Sequence, residues 1–181
     1  AGPKEPLRRV VPARALAEAA RAAEGEEGIQ LALGENQVTV SGKERRLTTR
    51  LIEGEFPNWR QLVPDDQPNH LTVDREAFQE AVRRVGILAQ QGTPVRLELG
   101  PSGVRLTAGT QDVGEAADLV EGKYEGEPLT IAFNATYLSD GVGAIEGSEV
   151  VLSCRDGLKP AVLRSPESGL FLYLLMPVKI S

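Results

Sequence analysis

The stretch Val95-Arg96-Leu97-Glu98-Leu99-Gly100 decides how the chain is read, because Ile29-Gln30-Leu31-Ala32-Leu33-Gly34 repeats it. In each, apolar residues fall at every second position and a glycine closes the run, the pattern of a half-buried antiparallel strand ending in a turn. The likeness extends outward. Leu119-Val120-Glu121-Gly122-Lys123-Tyr124 matches Leu51-Ile52-Glu53-Gly54-Glu55-Phe56. Upstream, Val11, Val73 and Phe133 stand at near-equal intervals, each just before a helical stretch. Recurrence at a fixed period is the mark of a repeated supersecondary unit.

Three repeats follow. The first opens with a strand at Arg9–Pro12 and a helix at Ala13–Ala23, with strands at Ile29–Leu33, Gln37–Ser41 and Arg46–Leu51. The second opens with Leu71–Val73 and a helix over Arg75–Leu88, with strands at Val95–Leu99, Gly103–Ala108 and Val113–Val120. The third opens with Leu129–Phe133 and a helix over Ala135–Ile145, with strands at Glu149–Ser153, Ala161–Arg164 and Phe171–Val178. Asp74 and Asn134 each precede a helix and suit an N-cap. Phe78, Val82 and Val85 share one helix face and can cover a sheet. Repeats two and three make a natural pair. Repeat one stands alone, with a sheet edge and part of a helix face uncovered. It reads as half of a domain whose other half is elsewhere or comes from another chain.

Composition narrows the function. The 181 residues are 41% hydrophobic, enough for a core, and no apolar run is long enough to span a membrane. The opening Ala1–Pro6 has neither an initiating Met nor an apolar signal core, which reads as an intracellular, cytoplasmic chain processed or truncated at its start. One cysteine, Cys154, allows no intrachain disulfide and no cysteine zinc site. One histidine, His70, leaves little general-base chemistry near neutrality. Aromatics are 4%, too few for a base-stacking platform. The net charge of −6 argues against a generally basic nucleic-acid binder, without saying how the charge is spread. Acidic pairs such as Asp65/Asp66, Asp112/Glu115 and Glu26/Glu27 could serve acid–base or metal chemistry, but in loops they read as solvated surface. No phosphate-cradling glycine loop or nucleophile–histidine arrangement is present. No enzyme, cofactor or metal is therefore expected.

Three segments carry a family resemblance: Thr49–Pro64 (TRLIEGEFPNWRQLVP), Ile131–Asp140 (IAFNATYLSD) and Tyr173–Ser181 (YLLMPVKIS). In order and spacing they resemble the C-terminal part of the bacterial DNA polymerase III beta subunit, the sliding clamp. The resemblance implies an α+β DNA-clamp fold, built of repeated β-α-β-β-β units with antiparallel sheets outside and helices on the inner face. Residues 1–64 would be the second half of the clamp's middle domain and 65–181 its C-terminal domain. It further implies a homodimeric ring around duplex DNA, bound without sequence preference. DNA polymerase III subunits, the clamp loader and other proteins carrying short clamp-binding motifs would be the partners.

The resemblance also places three surfaces. The partner-peptide pocket would use Pro64, Asn134, Tyr137, Leu158, Pro160, Leu174, Met176, Pro177, Val178 and Lys179. Read without the family, Leu174 and Met176 equally suit a core strand. DNA would face Arg14, Arg21, Arg75, Arg83 and Arg84, which lie among Glu18, Glu76 and Glu80 and could equally form an ion-paired, solvated face. Ile87 and Leu88 would form the subunit interface, or else be buried in their own domain. With the first domain absent, self-association would take another route, through exposed sheet edges. The alternative function is a clamp-like module that captures clamp partners or clamp-directed small molecules without encircling DNA.

Overall fold

A computed structural model describes residues 8–25, 28–89, 93–110, 114–169 and 171–179. Glu26, Glu27, Asp112, Val113, Ile180 and Ser181 lie outside these. The chain divides into two compact units between Asn58 and Trp59. The second unit opens with a short 3-10 turn at Trp59–Gln61, a few residues before the 64/65 domain boundary read from the sequence.

The first unit holds helix α1 (Ala13–Ala23) and a three-stranded antiparallel sheet of β1 (Gln30–Leu33), β2 (Gln37–Ser41) and β3 (Arg46–Arg50), in that order. Its core is thin. Val38 and Val40 on β2 and Ala19 on α1 are its buried apolar residues, among those described. The expected opening strand shrinks to a single bridge between Val10 and Ile52, whose N–H donates to the Val10 carbonyl at 2.9 Å. Pro12, lacking an N–H, ends any ladder there.

The second unit runs β4 (Asn69–Asp74), α2 (Arg75–Gly86), β5 (Val95–Gly100), β6 (Gly103–Thr110), β7 (Gly114–Glu125), β8 (Leu129–Phe133), α3 (Ala135–Gly143), β9 (Glu149–Cys154), β10 (Ala161–Arg164) and β11 (Tyr173–Leu175). The eight strands form one antiparallel sheet, ordered β11-β10-β9-β4-β7-β6-β5-β8. The pairing is reciprocal. β4, which opens the second repeat, pairs with β9 of the third, while β8, which opens the third, pairs with β5 of the second. Each of these repeats thus closes the other's edge. The core lies between sheet and helices, with Phe78, Phe133, Leu97 and Ile131 fully buried.

Local chemistry explains the element ends. Asp74 caps α2 by accepting from the Ala77 N–H at 2.8 Å, and Asn134 caps α3 by accepting from Thr136 and Tyr137. α2 stops at Gly86, short of the expected Leu88, and its last turn tightens through three-residue backbone bonds such as Ala89 N–H to the Gly86 carbonyl. β7 runs five residues past the expected Val120 because it pairs first with β6 and then, from Gly122, with β4. A side chain at Gly122 would place its Cβ 2.5 Å from the Thr72 carbonyl oxygen. Gly122→Val is therefore expected to destabilise the second unit by about 2–4 kcal/mol, read as a lower urea midpoint with an unchanged slope. β11 is shorter than the expected 171–178, since Pro177 has no N–H to continue a ladder; the chain returns through Val178 N–H to the Ala132 carbonyl at 2.8 Å.

The recurrence expected from the sequence is present. Each of the three repeats is a helix followed by a three-stranded meander whose end returns to the opening segment: Ile52 to Val10, β7 to β4, Val178 to Ala132.

Cys154 is buried in the core, and burial pushes its thiol from 9.0 up to about 11, with Asp156 adding to the effect. The unfolded chain ionises this thiol first, so it holds fewer protons than the folded chain above pH 9. Stability is therefore expected to fall as pH rises from about 9 towards 11, by at most ~1.4 kcal/mol per unit from this group. Alkylation of the native protein should be slow throughout that range relative to the urea-unfolded chain. A Cys154→Ser comparison separates this contribution from tyrosine and lysine ionisation.

Candidate functional site

The C-terminal segment meets the start of α3 in an open cleft of about 560 Å³, lined by Asn134, Tyr137, Tyr173, Leu174, Leu175, Met176, Pro177 and Val178. β8 fixes one side, because the Asn134 cap holds the first turn of α3 and so aims Tyr137. β11 fixes the other by pairing with β10 in the register Leu163↔Tyr173, Val162↔Leu174 and Ala161↔Leu175. Gly141 makes the junction possible: its Cβ would lie 2.6 Å from the Tyr173 ring, so only a glycine lets that ring lie against α3. Burial raises the Tyr173 phenol above its ordinary value, and Asp140 and Tyr137 add to this. The ring is thus a neutral hydrogen-bonding and apolar wall at ordinary pH.

The lip of the cleft is apolar and wet. Tyr137 and Met176 are each 60% exposed, and Val178 is also exposed. Leu175, one residue away from Met176, is buried, so the chain divides its side chains between core and cleft at this point. Large apolar side chains clustered around a concave surface, rather than scattered, mark a binding surface.

Six of the ten residues expected in the pocket line this cleft: Asn134, Tyr137, Leu174, Met176, Pro177 and Val178. Pro64, Leu158, Pro160 and Lys179 do not. Pro64 and Pro160 are half-buried, while Leu158 and Lys179 are exposed. Leu158 nonetheless sits on a hydrogen-bonded loop. Asp156 accepts from the backbone N–H groups of Leu158 and Lys159, both at 2.8 Å, and these bonds lower its carboxyl below the usual range. Tyr173 and Leu175 belong to the lining without being expected there. Their position within a strand gives them a structural role by pattern, and the signal that could have found Tyr173 is Gly141, a gap on the facing helix.

The candidate DNA-facing arginines separate by what holds them. Arg21 pairs with Glu18 at 2.6 Å. Arg84 pairs with Asp118 at 2.7 Å and Glu80 at 3.2 Å, and the Asp118 hydrogen bond raises its already high pKa. Arg75 is half-buried and donates to the Gly147 carbonyl. Arg14 and Arg83 are exposed and form no ion pair among the described residues. Ile87 stands 73% exposed just beyond α2, whereas Leu88 is half-buried. Among the described residues, no cluster of three or more His, Cys, Asp or Glu side chains could hold a metal ion. No helix among them is long and apolar enough to cross a membrane.

A paired β-α-β-β-β domain carrying an apolar terminal cleft, preceded by a further repeat of the same kind, is the architecture of a clamp-fold protein. Residues 60–179 match the family profile described as DNA polymerase III beta subunit, C-terminal domain, and residues 3–58 match the central domain of the same subunit. The chain belongs to the DNA polymerase III beta subunit family. It is 36% identical over 183 residues to the beta sliding clamp of Streptomyces coelicolor, covering 95% of this chain and 49% of that protein. It is 34% identical to the Caulobacter vibrioides clamp, covering 94% and 46%. Among solved structures, the Bartonella birtlesii sliding clamp bound to griselimycin superposes with a TM-score of 0.84 at 30% identity, covering 95% of this chain and 47% of that one. The Pseudomonas aeruginosa beta subunit gives 0.86 at 26%, covering 98% and 50%. The chain spans about half the length of the relatives it matches.

Proposed function

We propose that this polypeptide is the peptide-docking part of a sliding clamp, a non-enzymatic processivity factor that encircles duplex DNA as part of a dimeric ring. Short, largely apolar motifs of DNA polymerase III subunits, the clamp loader and other replication proteins would seat in the cleft between α3 and β11. The observation that carries this reading is the apolar lip of Tyr137, Met176 and Val178 around a cleft whose Tyr173 wall lies against Gly141 of α3. Such a site takes an extended segment by its apolar side chains, with polar groups such as the Tyr137 and Tyr173 hydroxyls at the rim. Met suits a surface serving several partners because its side chain repacks readily. Pro64, Leu158, Pro160 and Lys179 are proposed as outlying contacts of a longer peptide. Residues 1–64 and 65–181 are proposed as the second half of the middle domain and the C-terminal domain, with Ile87 and Leu88 facing a neighbouring subunit.

Titration of a fluorescent clamp-binding peptide tests the docking role. Saturable binding, weaker than to a full-length relative, is expected; absence of binding at any concentration would remove the reading. A second reading, capture of clamp partners without encircling DNA, draws on the chain's coverage of about half of its relatives. Retention on nicked circular but not linear DNA favours the ring; equal behaviour on both favours the capture module.

For the DNA-facing surface, Arg14 and Arg83 are the candidates free to meet phosphates, while Arg21 and Arg84 must first leave carboxylates. Replacing Arg14 and Arg83 by Gln in the ring-forming full-length protein is expected to flatten the slope of log affinity against log salt by about 1 per lost phosphate contact. Replacing Arg84 should change it less. An unchanged slope for the first pair would assign those arginines to plain solvated surface.

A further inference from the structure

The chain holds two sulfur atoms, one in Cys154 and one in Met176, and the fold treats them oppositely. Cys154 ends β9 inside the core and is fully buried. Met176 stands 60% exposed on the lip of the cleft. A thioether is oxidised as it stands and needs only to be reached, whereas a thiol must be reached and also ionised. Burial hides Cys154 and pushes its thiol up to about 11, so it offers little thiolate at ordinary pH. Met176 is the sulfur that a peroxide meets first.

The backbone holds that sulfur in place. Before it, Leu175 pairs with Ala161 and buries its side chain in the core. After it, the Val178 N–H donates to the Ala132 carbonyl at 2.8 Å, and Pro177 between them has a fixed φ. Turning Met176 away from the lip would lift Leu175 out of the core or break the Val178 bond. An oxygen added to the sulfur therefore stays where a docking segment must lie. The sulfoxide is polar, and an apolar peptide side chain pressed against it brings no donor, so docking would bury an unpaired acceptor. In the free chain the same oxygen faces water, and the fold is not disturbed.

We propose that Met176 is a site of reversible oxidation by hydrogen peroxide and that its sulfoxide shuts the cleft to apolar peptides, an inference that rests on the docking role of that cleft. In the forward step a sulfur lone pair attacks one peroxide oxygen. The S–O bond forms as the O–O bond breaks, and the second oxygen leaves as water with both peroxide protons. The sulfur gives up two electrons and the peroxide takes them. In reverse, a methionine sulfoxide reductase removes the oxygen as water, with two thiols supplying the electrons and becoming a disulfide.

The test treats the full chain with hydrogen peroxide, quenches with catalase, and titrates a fluorescent clamp-binding peptide that contains no Met, Cys or Trp. Mass spectrometry of proteolytic fragments should find one added oxygen on Met176 and an unmodified Cys154. The dissociation constant should rise at least about tenfold while the melting temperature holds. The two epimer-specific methionine sulfoxide reductases should return the affinity of the untreated chain. Met176→Leu, compared with itself before and after peroxide, should show no change. An oxidised chain that binds as tightly as the untreated one overturns the inference and leaves the docking role standing. An untreated chain that binds no peptide removes both. Oxidation of another residue ahead of Met176, a lowered melting temperature, a loss that the reductases do not reverse, or a loss shared by Met176→Leu also overturns the inference.

Discussion

Phe78→Ala is expected to cost the second unit about 3–5 kcal/mol, the upper range for truncating a single core side chain. Phe78 is fully buried on α2, where it meets the sheet built by the second and third repeats. Removing the ring forfeits its transfer free energy and leaves a cavity that a densely packed core cannot collapse around. Domains of this size are commonly stable by about 5–15 kcal/mol, so the variant should melt far below the parent or fold incompletely. The matched substitution, Leu16→Ala on α1, is expected to cost under about 1 kcal/mol, because Leu16 is exposed. The two residues occupy the same place in the repeat. The difference in cost measures how differently the two positions are buried. Equal costs for both would mean that the first unit has a closed core of its own.

The second large effect concerns docking. Met176→Ala is expected to weaken a clamp-binding peptide by about 2 kcal/mol, roughly thirtyfold, while leaving thermal stability nearly unchanged. Both parts follow from position. Met176 is exposed on the cleft lip, so its truncation removes a surface that only a ligand would bury. Leu175→Ala should do the reverse, lowering stability through its buried side chain and affecting binding only indirectly. Tyr137→Ala should resemble Met176→Ala, because the Asn134 cap and the remaining α3 turn stay in place without the phenol. A peptide that binds the Met176→Ala and Tyr137→Ala variants as tightly as the parent would move the docking site away from this cleft.

Much of this is legible in the residues. Period-two alternation locates β5, which buries Val95, Leu97 and Leu99 and exposes Arg96 and Glu98. Asp74 and Asn134 announce two helix starts by their chemistry, and the structure has both side chains accepting from backbone N–H groups. The extent of β7 is not legible. Glu121-Gly122-Lys123 reads as polar with a breaker, and the reason for the glycine, the approach of the Thr72 carbonyl, arises from a strand distant in sequence. The opening segment of the first unit forms only the Val10–Ile52 bridge, because Pro12 has no N–H to extend a ladder. At the cleft, the terminal Met-Pro run and the α3 start could be chosen by resemblance. Which of Tyr173, Leu174 and Leu175 faces the cleft depends on β11 pairing with β10 and on the gap at Gly141, neither of which is a local property.

The direct test of the three-repeat account is native-state amide hydrogen exchange on the chain, compared strand by strand. Amides of β5 and β9, each closed by the opening strand of the other repeat, should exchange only through opening of the whole second unit, and those of β1, the same element without its mate, should exchange orders of magnitude faster. Protection of β1 equal to that of β5 in the lone chain would contradict the account.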